Sequence, residues 1–264
     1  SSHWIPEIDS NDTYEFEGPD GVKVTRRFVV LDKGEGSAAI GSCGDIEMVF
    51  CNGHDVLIRK FSRSGESLFC EACFQVVAWQ VLREYGLDYS ISYVTDIVRK
   101  GGKVGFIMEP LLNVDTIGNV VHELGDRVTD EWIASCLAQT ALILWILETS
   151  VGFNHRDLKG DNILLSTAHK TRTRTVKYGG HAVTIRSQAD VHIVDFGFAC
   201  SGSGASGTDV GATSYFPCSD PCPKAGRDMF QLCTFLYMSV RLRACLGRLA
   251  PLFEKWLTFP GKDF

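Results

Sequence analysis

The chain has 264 residues, with 26 Lys and Arg against 32 Asp and Glu and a formal charge of −6, a length that suits one two-lobed domain or two small ones. At 45% hydrophobic and 22% charged residues the composition excludes a disordered chain, and the acidic balance argues against a nucleic-acid coat, so direct nucleic-acid binding is not expected. The longest apolar run, Ala141–Leu147, falls far short of the roughly 18 residues of a membrane span, and the polar start SSHWIPEIDSND is not a secretory signal, so no membrane partner is expected. Residues 1–25 read as an acidic, irregular extension broken by Pro6, Pro19 and Gly21. From Arg27 the texture changes to short strand-like runs, FVVL (28–31), AAIGSC (38–43), IEMVF (46–50) and DVLIRKF (55–61), separated by Gly and Asn-Gly turns: an antiparallel meander. A helix follows, apolar at Leu68, Phe69, Ala72, Phe74, Val77, Trp79 and Leu82 and ending before Gly86. Two more strands are expected at 91–98 and 103–109. Beyond Pro110 the pattern turns helical, with Asp130 capping a segment that runs to about Ile146 and a last helical stretch from Arg227 to Trp256.

Ten cysteines are scattered along the chain, well below the ~8–10% that marks a disulfide scaffold. The simplest reading is free, mostly buried thiols in a reducing, intracellular compartment, with Cys70 and Cys73 in the core. Cys218 and Cys222 have the spacing of half a zinc site or of a disulfide.

The informative stretch is Phe153-Asn154-His155-Arg156-Asp157-Leu158-Lys159-Gly160-Asp161-Asn162-Ile163-Leu164-Leu165, followed downstream by Asp195-Phe196-Gly197. H-R-D-L-x-x-x-N followed by D-F-G resembles the catalytic loop and metal-binding motif of protein kinases. The resemblance implies an α+β, bilobal protein-kinase-like fold, with a small antiparallel β lobe carrying one helix and a mainly helical second lobe. The layout expected is an extension at 1–25, an N-lobe at 26–109 and a shortened C-lobe at 110–264. It also implies ATP and Mg²⁺ as cofactors. Asp157 would accept or orient a substrate hydroxyl, Lys159 would meet the transferred phosphate, and Asn162 and Asp195 would ligate Mg²⁺. His155 and Phe196 would be core supports. Arg156 would face the activation segment, where a phosphate or a carboxylate could hold it.

The resemblance assigns further roles upstream. Gly34 and Gly36 would form a glycine-rich loop over the phosphates, although Gly41-Ser42-Cys43-Gly44 offers a rival register. Lys60 is the expected phosphate anchor, with Arg59 in that place if the strand faces the other way. Its neighbour Arg59, which points the other way on a strand, is taken as a solvated charge. Glu71 would pair with Lys60, with Glu66 as the alternative partner of the helix N-terminus. Gln75, one turn on, is polar where kinases usually place an apolar residue. Met108, Glu109 and Leu111 would form the hinge against adenine, with Met108 gating the pocket.

Between Leu165 and Val191 sits an insert at 166–190 that reads as a β-hairpin around Gly179-Gly180. With it, the pattern is similar to haspin-type and large-DNA-virus-type divergent kinases. The basic run His169, Lys170, Arg172, Arg174 and Lys177 in this insert is a solvated hairpin edge or a contact for a phosphate or acidic partner. The A-P-E motif is missing, while Asp228 resembles the buried aspartate that braces the catalytic loop. The activity implied is phosphoryl transfer from ATP to Ser or Thr hydroxyls of a protein substrate, since Lys159 favours Ser/Thr by family pattern. A non-catalytic binding module or a small-molecule kinase of the same fold are the rivals. No residue pattern specifies an oligomeric state.

Overall fold

The computed structural model describes residues 5–18, 20–31, 44–63, 67–203, 210–213, 215–216 and 220–258, with the backbone alone at 44, 168 and 169. Two compact units are present: Ser1–Val77, Ser92–Leu111 and Asp195–Gly197 make the first, and Ala78–Ile91, Leu112–Val194 and Phe198–Phe264 the second.

In the first unit, β1 (Thr13–Glu17), β2 (Lys23–Val30), β3 (Gly44–Cys51), β4 (Asp55–Ser62), β5 (Val94–Lys100) and β6 (Lys103–Met108) form one antiparallel sheet in the order β1-β2-β3-β4-β6-β5. Asn52-Gly53 closes β3 onto β4 with φ of 51° and 74°, the paired positive angles that a tight hairpin of the right twist requires. The period-two alternation of strands then sorts the side chains onto two apolar faces. Phe106 and Val94 pack with Leu68 and Ala72 at the start of α1 (Phe69–Arg83). Ile107, Leu57, Val49 and Val98 pack on the opposite face with Ile8, Tyr14 and Phe28. Each such fully buried side chain contributes about 1.5–3 kcal/mol.

The N-terminal residues are therefore not the irregular extension expected from their breakers. Asp9 accepts from the backbone N–H groups of Asn11 and Thr13, both at 2.9 Å, and turns the chain into β1, which pairs with β2 from Thr13↔Arg27 to Glu17↔Lys23. The alternation Tyr14-Glu15-Phe16-Glu17 carries the strand signal, with Tyr14 buried and Glu15 exposed.

The second unit holds β7 (Val114–Thr116), α2 (Ile117–Leu124), α3 (Asp130–Val151), β8 (Phe153–Asn154), β9 (Ile163–Tyr178), β10 (His181–Ile193), β11 (Cys200–Ser201), β12 (Val210–Gly211), α4 (Arg227–Met238), α5 (Val240–Ala244) and α6 (Ala250–Leu257). Thr129, not Asp130, caps α3: its hydroxyl accepts from Trp132 N–H at 3.2 Å. By length and composition α3 could cross a membrane, yet half of its apolar window is buried, with Ile133, Ile143, Ile146 and Leu147 almost inaccessible, as in a core helix. Gly152 ends it at φ 60°, where an added Cβ would lie 1.8 Å from Gly202 O, so only glycine fits.

The expected hairpin is present and longer than the insert alone, paired from Ile163↔Ile193 to Tyr178↔His181 with a bulge between Ser187 and Ala189. Gln139 on α3 holds that bulge, donating to Ala189 O at 2.9 Å and Ser187 Oγ at 3.1 Å. Arg172 and Arg174 of the basic run are not merely solvated, since both pair with Asp190, at 2.6 and 3.0 Å. The cysteine reading also needs correction. Cys200 and Cys222 form a disulfide, both fully buried, while Cys70 and Cys73 are only half-buried. Spacing pointed to Cys218 and Cys222, but β11 carries Cys200 to Cys222 from 22 residues away; Cys218 lies outside the described residues. The fold is α+β: an antiparallel sheet with one helix, then a unit of helices and short strands to which the long hairpin is added.

Candidate active site

On β4, Arg59 and Lys60 point to opposite faces and both are buried, at 2% and 3% exposure. Arg59 is thus not the solvated charge expected. Its guanidinium is held by Glu47 at 2.8 Å and Asp12 at 3.0 Å, because β1 and its preceding turn cover that side of the sheet. Lys60 faces α1. Its Nζ donates to Glu71 Oε1 at 2.6 Å and to Asp195 Oδ1 at 2.9 Å. Burial works to lower the Lys60 pKa, but the charges of Glu71 and Asp195 outweigh it, so the ammonium is held above its ordinary value and stays charged. Glu66, the alternative partner, lies outside the described residues, as do Gly34, Gly36 and residues 41–43 of the rival turn.

The polar Gln75 has a structural reason. One turn beyond Glu71 on α1, its Nε2 donates to Ser92 O at 2.9 Å and lies 3.3 Å from Met108 Sδ. Gln75 thereby ties the helix to the strand end that carries Met108. Glu109 donates its own N–H to Tyr93 O at 2.9 Å, which leaves its carbonyl rather than its amide as the group that could meet a base. Leu111 follows in the same unit.

In the second unit the catalytic-loop residues are fixed from below and from the side. Asp228, 3% exposed at the start of α4, accepts the backbone N–H groups of His155 at 2.7 Å and Arg156 at 2.8 Å, charge-assisted bonds of the stronger kind. His155 Nε2 lies 3.0 Å from Val194 O and must donate to it, which leaves Nδ1 to accept Asp157 N–H at 3.4 Å. Above this support, Asp157 Oδ2 accepts from Lys159 Nζ at 2.9 Å and from Asn162 Nδ2 at 3.2 Å. Asn162 Nδ2 also donates to Asp157 O at 2.8 Å, so the amide oxygen of Asn162 is its atom for a cation. Gly160 has no alternative here: an added Cβ would meet the Phe235 ring at 2.2 Å.

Two residues of the motifs hold unusual backbone angles, Arg156 at φ 67° and Asp195 at φ 66°, conformations that side-chain-bearing residues adopt only under surrounding constraint. The Arg156 guanidinium lies 3.5 Å from the Asp220 carboxylate and 4.6 Å from the centre of the Phe216 ring. Of the two partners expected for Arg156, the structure supplies the carboxylate. Arg227 reaches the same two groups, at 2.7 Å and 5.2 Å. Asp220 has no signal of its own in the sequence, where the cysteines at 218 and 222 are the recognisable feature of that stretch. Gln231, whose Nε2 donates to Arg156 O at 3.0 Å, had no local signal.

The first unit therefore gathers Lys60, Glu71 and Asp195, and the second gathers Asp157, Lys159 and Asn162. Among the described residues no cluster of three or more His, Cys, Asp or Glu could hold a metal. Mg²⁺ does not require one, since it usually takes one or two protein oxygens and fills its octahedron with phosphate and water. The Asp195 carboxylate and the Asn162 amide oxygen are donors of that chemistry.

No family model and no curated protein matches the chain. Among solved structures it is similar to one titled "Crystal structure of BubR1 kinase domain", at 17% identity and a TM-score of 0.48. That similarity covers 73% of this chain and 51% of the other, so this chain spans about half the length of its neighbour.

Proposed function

We propose that the chain is an ATP- and Mg²⁺-dependent protein kinase acting on Ser and Thr hydroxyls, of the divergent kind exemplified by haspin-type and large-DNA-virus-type enzymes. The observation that carries the reading is the buried Lys60, charged and held between Glu71 and Asp195 in the first unit. Isolated buried charges are costly, and a positioned lysine sharing carboxylates is what a phosphate-binding site needs. The ordered Asp157–Lys159–Asn162 cluster supports the same reading, and the hairpin between the two motifs supports the divergent subclass.

In this reading Asp157 accepts the proton of the substrate hydroxyl at its carboxylate, in an orientation set by Asn162 and by the His155–Asp228 support. Lys159 exchanges its bond to Asp157 for one to the transferred phosphoryl group. Lys60 holds the nucleotide phosphates. Asp195 and Asn162 would hold Mg²⁺, which neutralises phosphate charge when bound. The backbone carbonyl of Glu109 would meet the adenine.

The test is transfer of labelled phosphate from ATP with Mg²⁺ to generic basic proteins. Wild type should label them, and Asp157→Ala should lose at least about 100-fold of the rate, the usual worth of a general base. Label on neither protein substrate nor chain, with wild type equal to Asp157→Ala, would make this a non-catalytic binding module. Transfer to metabolites alone would make it a small-molecule kinase.

A further inference from the structure

Beside Asp157 in the second unit lies a groove of about 330 Å³. One wall is the Asp157–Lys159 loop. The other is a face of α4 made of Phe230, Gln231, Thr234, Phe235 and Met238, which recur at intervals of four along the helix and so line one stripe. Met238 is 75% exposed and Phe230 39% exposed. Phe230 and Met238 thus give the groove beside Asp157 an exposed apolar rim. The groove is already shaped, because Gly160 sits against the Phe235 ring and Gln231 is bonded to Arg156 O.

We propose that this groove takes an apolar side chain of the size of Leu, Met or Phe, one or two residues from the acceptor Ser or Thr of the substrate polypeptide, and that Phe230 and Met238 set this preference. The inference rests on the kinase reading. A hydroxyl brought to Asp157 carries its neighbours with it at about 3.3–3.6 Å per extended residue, and Asp157 and the α4 stripe line the same groove. That stripe carries no charge. A Lys, Arg, Asp or Glu side chain lying along it would lose water and gain no charged partner on α4, whereas an apolar one would gain Phe230 and Met238.

Acceptor peptides differing only at the residues flanking Ser, carrying Leu, Lys or Asp, separate the outcomes. Wild type should show at least about a tenfold lower KM for the Leu peptide, a discrimination within reach of one apolar pocket. Met238→Glu should raise the KM of the Leu peptide about tenfold and lower that of the Lys peptide; Phe230→Glu should act the same way. Fluorescence anisotropy of the labelled Leu and Lys peptides, without nucleotide, should give the same ranking of Kd, and thermal melts check that the variants fold.

Phosphate transfer with no flank preference, or a preference that Met238→Glu and Phe230→Glu leave unchanged, would overturn the groove assignment alone. Absence of transfer, with Met238-dependent binding of the Leu peptide retained, would overturn the kinase reading and leave an apolar-peptide site. A dimer turned into a monomer by Met238→Glu, with peptide ranking unchanged, would give this face to a second copy and overturn the proposal.

Discussion

On β4, Arg59 sits between Asp12 and Glu47 on one face of the sheet, while one position later Lys60 sits between Glu71 and Asp195 on the other. Their removal should therefore have different consequences. Lys60→Met should reduce phosphate transfer at least about 100-fold, as loss of a charge stabiliser at transferring phosphate does. Arg59→Met should keep most transfer and instead destabilise the fold by about 1–3 kcal/mol, because Glu47 loses its partner and Asp12 keeps only Lys100, both remaining partly in water. Steady-state kinetics and urea unfolding of both variants check this, and the opposite assignment of losses would mean that the anchor is Arg59. Arg156 makes a second residue-scale case. A carboxylate and an aromatic ring already hold it, at Asp220 and Phe216, so the active arrangement needs no added phosphate. Phosphatase treatment should leave activity unchanged, while Asp220→Ala should lower it several-fold. Activity that followed phosphate at Thr208, Thr213, Ser214 or Tyr215 by mass spectrometry would contradict this.

Among the elements, the β9–β10 hairpin shows how burial gives a pH dependence. His192 on β10 is 7% exposed, with Nδ1 2.7 Å from Tyr89 O and Nε2 3.0 Å from Ser166 Oγ. Against a carbonyl, Nδ1 must donate, and in the neutral ring Nε2 then accepts from the serine hydroxyl. Burial lowers the His192 pKa below its ordinary value. The unfolded chain therefore binds the proton more readily, and stability is full above about pH 6.5 and falls as pH drops from there through the folded-state value. The urea midpoint should decline between pH 7 and pH 5.5 in wild type and decline less in His192→Gln; equal slopes would remove His192 as the cause. The hairpin itself was legible from Gly179-Gly180 and its flanking alternation. Its full extent was not, because Ile163–Leu165 and Val191–Ile193 adjoin the two motifs and carry no separate hairpin signal, although the backbone ladder runs through both.

For the whole molecule, ligand binding should be read in the stability of the folded chain. ATP with Mg²⁺ at about 100 times its Kd should stabilise the folded chain by about 2.7 kcal/mol, read as a rise in Tm. Chelation by EDTA should remove most of that rise, and so should Asp195→Asn, whose unliganded Tm should itself fall because the buried Lys60 loses one of its two carboxylates. A rise equally large without the metal would separate nucleotide binding from Asp195.

The amino-acid sequence alone determined the features that depend on near neighbours: the Asn52-Gly53 hairpin, the helix at α1, the order of the two motifs and the strand alternation that divides Arg59 from Lys60. Chemical type and short spacing suffice there, since turn geometry and a period of two or 3.6 residues act within a few positions. Tertiary structure alone decided the rest. It covered Arg59 with the N-terminal strand, joined Cys200 to Cys222, gave Arg156 the Asp220 carboxylate, and set the uncharged face of α4 beside Asp157. Each of these brings together residues distant in sequence, and which distant groups meet follows from how the buried faces pack, which local spacing does not encode.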